Sequence, residues 1–226
     1  MDVKNLEVKT QAQPSMISFL FDLPNICTLC GLLSAFLGIY FAVIGGIWSV
    51  LFDWLDGFVA SKLKGRTKDD RLFGGQLDSL SDMVSFGVLP AFILLSYTNY
   101  SALSVLVGFS VIAGCAIRLS YFNIYGLTGG KTYTGLAVDY NGILISFAFI
   151  FEPFLNHASF SIVLTVLLLL IVLLNLAPIQ IPKFSKKMLI PIAIYVVAMT
   201  FYFGYYLGLK PLTIVLPIHR TGLSYF

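Results

Sequence analysis

The sequence predicts an all-α polytopic membrane protein. Hydrophobic residues make up 58% of its 226 residues, charged residues only 11%, and the mean hydropathy is +0.90. This composition excludes an ordinary soluble globule, in which about a quarter of the residues are charged. Apolar runs of about 20 residues, the length that crosses the hydrocarbon core, recur along the chain.

Seven apolar runs predict the membrane helices in order. A short interfacial stretch at residues 17–21 precedes the first helix, and Gly45 and Gly46 are expected to turn the chain before the second. The predicted helices cover about residues 27–43, 47–63, 79–97, 102–122, 134–154, 160–177 and 188–209. Residues 211–218 are also apolar but are too short for an ordinary span.

Lysine and arginine predict the orientation of these helices. The loops around Gly45, Asn99 and Asn156 contain neither residue. Basic residues concentrate instead in the loops after the second and sixth helices, at Lys62, Lys64, Arg66, Lys68, Arg71, Lys183, Lys186 and Lys187. Because positive loops stay in the cytoplasm, the N-terminus and these loops are predicted to be cytoplasmic, and Lys183, Lys186 and Lys187 are interpreted as topological anchors.

Four aspartates in or beside the predicted spans indicate a cation site. Asp53 and Asp56 are three residues apart and Asp78 and Asp82 are four apart, so each pair shares one helix face. A carboxylate at a helix centre costs about 2.5–3.5 kcal/mol to insert. The second pair is expected at a helix N-terminus, where the dipole favours anions, and the first pair near a C-terminus, where it does not. One or two divalent cations, Mg²⁺ or Mn²⁺, would offset this cost.

Small residues beside the aspartates are expected to leave room for a ligand. Gly57 and Ala60 follow the first pair on the same helix and allow close approach to the backbone. Gly74 and Gly75 precede the second pair and are expected to expose backbone N–H groups to a phosphate. The basic loop between the two pairs would attract an anionic substrate.

The stretch from Asp53 to Asp82 resembles the signature of the CDP-alcohol phosphatidyltransferases, D-x2-D-G-x2-A-R-x8-G-x3-D-x3-D. The matching residues are Asp53, Asp56, Gly57, Ala60, Gly74, Asp78 and Asp82. Four further segments resemble the phosphatidylserine synthase branch of that family: PNICT (24–28), QLDSLSDMVSFGVLPAF (76–92), IRLSYFN (117–123) and IPKF (181–184). The resemblance therefore covers about residues 20–190.

This resemblance implies a six-helix core, one or two further C-terminal helices, a homodimer and a polar cavity that faces the cytoplasm. The expected parts are a cytoplasmic tail and interfacial segment (1–22), a six-helix catalytic core (23–187) and the C-terminal helix or helices (188–226). Two divalent metals are implied, with Asp82 also acting as the general base. The implied metal ligands are Asp53, Asp56, Asp78 and Asp82.

The resemblance also implies the nucleotide site. Asn25 and Thr28 are expected at the edge of the nucleotide, and Gly57, Ala60 and Gly74 leave room for it. The signature arginine is replaced by Ser61, and twelve residues instead of eight separate that position from Gly74. Three residues are candidates for the missing cation: Lys62, Lys64 and Arg66.

A second departure concerns the acceptor. TGLAVDYNG (134–142) stands where the branch shows a GLPxP-type element, and its Asp139 and Asn141 are expected to contact the acceptor alcohol. Arg118 is expected to bind the carboxylate of serine, with a topological anchor as the alternative. Asn123 is expected either to bind substrate or to satisfy a helix end.

The implied reaction transfers a phosphatidyl group from CDP-diacylglycerol to the hydroxyl of L-serine, giving phosphatidylserine and CMP. Choline, an inositol compound or glycerol phosphate remain possible acceptors, and an archaeal ether lipid remains a possible donor. A cation transporter is a distant alternative, disfavoured by the basic loop and by the lack of repeat symmetry. A third alternative is a family member that binds lipid but does not catalyse the transfer. The expected partners are the donor, a small alcohol, membrane lipids and a second copy of the chain, with no nucleic acid.

Overall fold

A computed structural model of the chain describes residues 15–41, 43–130, 132–183 and 186–209. A short 3-10 helix, Met16–Phe21, leads into the bundle. The helices are α1 (Leu23–Phe41), α2 (Val43–Lys62), α3 (Lys68–Asp82), α4 (Leu89–Tyr97), α5 (Ala102–Tyr125), α6 (Asp139–Phe149), α7 (His157–Leu176) and α8 (Leu189–Leu209). The predicted all-α core is confirmed, and α3 and α4 form one continuous helical segment, Lys68–Tyr97. The predictions for residues 1–14, Lys131, Phe184 and residues 210–226 fall outside the described residues.

Four of the described helices are long and apolar enough to cross a membrane. They cover Val43–Lys62, Lys68–Tyr97, Ala102–Tyr125 and His157–Leu176, and shorter apolar helices cover Leu23–Gly38 and Leu189–Tyr205. The chain is therefore an integral membrane protein. The expectation of seven full spans is wrong for α6, because 11 residues rise only about 16 Å, about half of the hydrocarbon thickness.

The predicted turn at Gly45 and Gly46 is also wrong, because both glycines lie inside α2. The two residues serve helix packing instead. A Cβ on Gly45 would meet the Cα of Gly38 and would lie 2.5 Å from the carbonyl oxygen of Ser34. Glycine at this position lets α1 and α2 approach along their backbones, as small residues do in membrane bundles.

Thr67 begins α3 eleven residues earlier than the hydropathy predicts. The Thr67 hydroxyl accepts from the Asp70 N–H at 3.1 Å, and the Asp70 carboxylate accepts from the Thr67 N–H at 2.8 Å. This capping box satisfies two N–H groups at the helix start. The polar composition of residues 68–76 hides this half of the helix from a search for apolar runs.

The early start of α3 corrects two expectations about the site. Asp78 and Asp82 lie in the last two turns of α3, far from its N-terminus, so the helix dipole does not favour them. Gly74 and Gly75 lie within the same helix, where backbone N–H groups bond along the helix rather than facing a phosphate. A π-helical turn, Met83–Val88, follows Asp82 and joins α3 to α4. Such turns are frequent at functional sites.

Two short strands close one end of the bundle. β1 (Thr132–Thr134) and β2 (Gln180–Pro182) pair antiparallel, with Tyr133 opposite Ile181. Gly135 turns out of β1 with φ +77°, and its N–H donates to the Ile179 carbonyl at 2.8 Å. The fifth predicted helix, expected from residue 134, therefore begins only at Asp139. The pairing brings together the connections that follow α5 and α7.

The apolar core begins one helical turn from the aspartates. Val50 precedes Asp53 by one turn on α2, and Phe86 follows Asp82 by one turn; both side chains are fully buried. The fully buried Leu94, Phe160, Leu164 and Leu168 extend this core between α4 and α7. The aspartates thus occupy the polar end of an otherwise apolar bundle.

Candidate active site

Carboxylates from α2 and α3 meet in one cluster. Asp53, Asp78 and Asp82 each offer an oxygen atom, and these atoms all lie within 4.8 Å of one another. Asp56 follows Asp53 on the same face of α2, and we refer to these four residues as the carboxylate cluster. The intervals of three and four residues place each pair on one face, and the packing of the helices makes the two faces converge.

A third helix holds Asp56 in place. The Thr28 hydroxyl on α1 donates to Oδ2 of Asp56 at 2.5 Å, and Asp56 is only 8% exposed. Thr28 is held in turn from α3, because the Ser81 hydroxyl donates to the Thr28 carbonyl at 3.3 Å. Charge-assisted bonds of this kind are about twice as strong as neutral ones. They fix the position of the Asp56 carboxylate relative to α1.

The cluster lines a cavity of about 260 Å³. One group of lining residues, which we call the carboxylate wall, adds Asp139 to the cluster. A second group, which we call the cationic wall, consists of Arg118, Phe122, Tyr133 and Lys183. Trp54, Phe58 and Leu189 add apolar surface. A ligand with separated positive and negative groups fits such a cavity.

Asp139 joins the carboxylate wall from α6. It is the first residue of that helix, and its Oδ2 accepts from the indole N–H of Trp54 at 2.7 Å. Trp54 lies between Asp53 and Asp56 on α2, so α2 carries two carboxylates of the cluster and also orients Asp139. The predicted placement of Asp139 near the substrate is consistent with this geometry.

The cationic wall is built around the ring of Tyr133. The guanidinium carbon of Arg118 lies 5.6 Å from the Tyr133 ring centroid and 5.5 Å from that of Phe122. The Lys183 ammonium lies 5.9 Å from the same Tyr133 centroid. Burial raises the pKa of the Tyr133 phenol, so the ring stays neutral and offers its face to both cations.

Backbone contact also fixes Arg118. Its Nε donates to the Leu136 carbonyl at 3.0 Å, and the side chain is 5% exposed. Arg118 lines the cavity, and the planar guanidinium is suited to bind an anion through two N–H groups. The anchor interpretation of Arg118 does not describe this buried position.

The carboxylate cluster fits a divalent cation. All of its donor atoms are hard carboxylate oxygens, the ligands that Mg²⁺ and Mn²⁺ prefer. Three carboxylates packed this closely repel one another strongly in a partly buried site. An acidic cluster able to hold a divalent cation is therefore present, and the donor set does not decide which metal it takes.

The residues predicted to contact the nucleotide divide into two groups. Gly57 lines the cavity, and nothing lies within 4 Å of a Cβ placed on it. Thr28 lies behind the cluster with Asn25, which is 1% exposed. The amide nitrogen of Asn25 donates to the Phe19 carbonyl at 2.9 Å. Its amide oxygen has no partner and would lie 3.0 Å from a Cβ on Gly74.

The next residues of α2 lead away from the cavity. Ala60, Ser61 and Lys62 are not among the residues that line it. The exposed Ser61 hydroxyl donates to the Phe58 carbonyl at 2.6 Å, and the Lys62 ammonium lies 5.7 Å from the Phe58 ring centroid. In this conformation Lys62 does not replace the missing signature arginine.

Arg66 was a candidate for the missing signature cation, but in the structure it has a different role. Its guanidinium makes an ion pair with Asp22 at 2.6 Å and donates to the Asp70 carbonyl at 3.1 Å. These bonds tie the loop between α2 and α3 to the start of α1. Because its charge is paired, Arg66 positions the helices that carry the cluster.

Two of the predicted acceptor residues do not reach the cavity. Asn123 is exposed, and its amide nitrogen donates to the Ser79 hydroxyl at 3.0 Å. Asn141 is 1% exposed, and its amide donates to the Phe86 carbonyl at 3.4 Å. Pro90 lacks the N–H that would bond this carbonyl in a helix. Asn141 therefore satisfies a helix carbonyl, and neither asparagine contacts the site directly.

Sequence reasoning missed several cavity residues. Trp54 lies inside the signature segment, between two aspartates, and could have been identified there. Lys183 lies in the IPKF segment, but its charge suggested a topological anchor. Tyr133 and Tyr140 carry no signal in the sequence, because their places depend on the β1–β2 pairing and on the late start of α6.

Together the fold and the site define a helical membrane protein whose carboxylates line a cavity at one end of the bundle. Comparison with known proteins gives the family. The family model described as CDP-alcohol phosphatidyltransferase matches residues 14–218. The chain belongs to this family, as the signature predicted.

Individual relatives add detail. The chain is 36% identical over 159 residues to the archaetidylserine synthase of Methanothermobacter thermautotrophicus, covering 65% of this chain and 66% of that protein. It is 35% identical over 143 residues to the CDP-diacylglycerol–serine O-phosphatidyltransferase of Methanocaldococcus jannaschii, covering 63% and 64%. The protein of the same name from Helicobacter pylori (strain 26695) is 29% identical over 191 residues, covering 75% and 76%. The match spans just under two thirds of the length of the first two relatives.

Proposed function

We propose that this protein transfers a phosphatidyl group from CDP-diacylglycerol to the hydroxyl of L-serine, releasing CMP. The observation that carries the proposal is the convergence of Asp53, Asp78 and Asp82 within 4.8 Å beside a cavity that also holds Arg118. Such a cavity suits a diphosphate donor on its acidic side and an anion-bearing acceptor on the other.

Serine is favoured as the acceptor by two independent observations. The names of the three relatives above all include serine, although the lipid group in the names differs. The cavity pairs acidic residues with Arg118, and this arrangement matches the ammonium and carboxylate of an amino acid. The first relative is named an archaetidylserine synthase, so an ether-lipid donor is a second candidate.

Four aspartates of the cluster would hold one or two Mg²⁺ or Mn²⁺ ions, which when bound supply positive charge to the donor diphosphate and to the departing CMP. The chain's own contribution is to fix the oxygens of the cluster. The hydrogen bond from Thr28 orients Asp56, and the packing of both α2 and α3 against α1 positions the other three. Gly57 and Gly74 are proposed to leave room for the nucleotide, with Asn25 and Thr28 at its edge.

Asp82 is proposed to take the proton of the acceptor hydroxyl. The hydroxyl oxygen bonds to the phosphorus atom that carries the lipid, and the bond from that phosphorus to the CMP oxygen breaks. The proton goes to the Asp82 carboxylate, and CMP leaves with the bonding electron pair. General base assistance of this kind is worth about 10²–10⁴-fold in rate. Arg118 and Asp139 hold the acceptor so that its hydroxyl points toward Asp82.

The active site is proposed to face the cytoplasm. The Arg66–Asp22 ion pair lies in the connection at residues 63–67, and the β1–β2 pairing joins the described connections at residues 126–130, 132–138 and 177–183, whose Tyr133 and Lys183 line the cavity with the cluster. These connections carry Lys64, Arg66 and Lys183, and Lys186 and Lys187 follow shortly after. The opposite connections, residues 98–101 and 150–156, carry no lysine or arginine. This asymmetry favours a cytoplasmic site, and cysteine labelling from either side of sealed vesicles would test it.

The function is tested by measuring CMP release from CDP-diacylglycerol by the purified protein with Mn²⁺ or Mg²⁺. Serine, choline, inositol phosphate and glycerol phosphate are compared as acceptors, and the ether-linked donor is compared with the ester-linked one. CMP release that depends on serine supports the proposal. Release with another acceptor only would overturn the serine assignment, and no release with any acceptor would overturn the activity. A homodimer, implied by the family resemblance, is tested by mass measurement in detergent.

A further inference from the structure

Lys183 is a cavity residue that the proposed chemistry does not use. It follows β2 directly, and the pairing of Ile181 with Tyr133 sets it beside the Tyr133 ring. Its ammonium lies 5.9 Å from that ring centroid, and the residue lines the same cavity as Asp82 and Asp139. Within the described part of the chain, this ammonium makes no ion pair, since the only salt bridge found there joins Arg66 to Asp22.

Arg118 reaches the same ring from α5, at 5.6 Å. Two cations therefore meet at one aromatic ring, and they come from chain segments about 65 residues apart. Like charges that contact one ring repel each other, and an anion bound to both would offset this repulsion. The Nε of Arg118 is bonded to the Leu136 carbonyl, which leaves the terminal guanidinium N–H groups for such an anion.

We propose that Lys183 and Arg118 form a subsite for an anionic oxygen group of the substrate. The proposal rests on the proposed function and deepens it. The anionic group is either the carboxylate of an amino-acid acceptor or the phosphate of the lipid donor. The carboxylates repel any anionic group that is not held by a metal ion. Such a group is therefore expected near Tyr133, within reach of both cations.

The subsite makes Lys183 a specificity-determining residue. An acceptor with a hydroxyl near Asp82 and a carboxylate near Lys183 satisfies both walls, whereas a neutral or cationic alcohol leaves the two cations unpaired. Lys183 is exposed, but Arg118 is 5% exposed. Because an unpaired charge at a buried position is costly, the loss of an anionic group on the acceptor is penalised.

The experiment compares Lys183→Met with wild type, with Lys183→Arg as the charge-conserving variant and Lys68→Met as the matched control. Lys68 is exposed on the first turn of α3 and does not line the cavity. KM values for serine and for CDP-diacylglycerol are measured separately, together with kcat. We expect Lys183→Met to raise one KM by about tenfold or more, Lys183→Arg to restore it in part, and Lys68→Met to have no effect.

The two substrates distinguish the two sources of the anion. A rise in KM for serine alone assigns the subsite to the acceptor carboxylate, and a rise for the donor alone assigns it to the lipid phosphate. Unchanged KM values in Lys183→Met and in Lys183→Gln would overturn the proposal. Equal loss of kcat for all substrate pairs, with no KM change, would also overturn it.

A binding measurement separates this proposal from the proposed function. The unfolding midpoint of the purified protein with Mn²⁺ is followed as L-serine or CDP-diacylglycerol is added, because a ligand that binds the native state raises the midpoint. If wild type releases no CMP but its midpoint rises with one ligand and that of Lys183→Met does not, the activity fails and the subsite stands. If both proteins respond alike, or neither responds, the subsite fails.

Discussion

The two walls of the cavity are assembled in different ways. The four aspartates of the carboxylate cluster come from residues 53–82, within two consecutive helices, and their spacing of three and four residues already places them on shared faces. The cationic wall collects Arg118 from α5, Tyr133 from β1 and Lys183 from the end of β2. Those residues share no local pattern, and a pair of three-residue strands brings them together.

The difference suggests that the two walls have separate functions. The spacing of the carboxylate cluster is enough to form a cation site, and it does not depend on the identity of the acceptor. The cationic wall depends on loops and on strand pairing, which tolerate change more readily than packed helices do. Metal-assisted transfer is therefore expected to reside on the first wall and acceptor choice on the second. The following substitutions separate the two, from the largest expected effect to the smallest.

Asp82→Asn is expected to lower CMP release by about 10²–10⁴-fold, because an amide cannot take the acceptor proton. The bundle should stay folded, since asparagine has the same shape. The measurement is kcat with saturating donor and serine, with Asp69→Asn as the control on the exposed first turn of α3. Turnover near that of wild type would remove Asp82 from the role of base. Residual release that vanishes in this variant would exclude a lipid-binding protein without turnover.

Asp53→Asn and Asp78→Asn are expected to weaken metal binding by at least about 10–100-fold, since even changes outside the ligand set cost that much. Binding of Mn²⁺ is measured by electron paramagnetic resonance on the purified protein, with Asp69→Asn again as the control. Chelation by EDTA should abolish CMP release by wild type, and added Mn²⁺ or Mg²⁺ should restore it. Wild-type affinity in either variant would exclude that aspartate as a ligand.

Arg118→Gln is expected to raise the KM for serine about tenfold or more and to leave the metal affinity unchanged. Arg118→Lys loses the same Nε bond to the Leu136 carbonyl but keeps the charge. The comparison of the two variants therefore isolates the charge from the structural bond. If both variants lose serine affinity equally, Arg118 acts through the backbone contact and not as an anion ligand.

Trp54→Phe is expected to reduce kcat/KM by less than about tenfold. The variant removes the indole bond to Asp139 but keeps an aromatic ring and the Asp139 charge, so we expect only the typical net contribution of one hydrogen bond, about 0.5–1.5 kcal/mol, to be lost. Trp48→Phe is the matched control on α2, because its indole donates to Thr200 on α8 at 3.0 Å. A loss equal in both variants would indicate a general packing defect and not an effect on the carboxylate wall.

Helix ends were predicted less well than helix identities. The core from α1 to α7 was expected from apolar runs, and so was the convergence of the aspartates. The start of α3 was missed, because a polar, capped helix segment does not look like a membrane span. The turn predicted at Gly45 was wrong for a different reason: glycine in a membrane helix allows close packing as readily as it ends a helix.

Some of the predicted site residues lie at the site, and others do not. Thr28, Gly57, Arg118 and Asp139 lie at the cluster or the cavity, whereas Asn123 and Asn141 satisfy other helix segments. An asparagine near a helix end has two good uses, and its sequence position does not choose between them. The choice depended on which carbonyl or hydroxyl the packing left without a partner.

Sequence by itself determined that this is a helical membrane protein and that two helices present paired carboxylates, because hydropathy and the 3.6-residue period act locally. Only the tertiary structure decided what faces those carboxylates. The approach of Arg118 and Lys183 to one tyrosine ring depends on pairing between strands about 48 residues apart. Contacts of that range are set by how the helices pack, and no local pattern of residues encodes them.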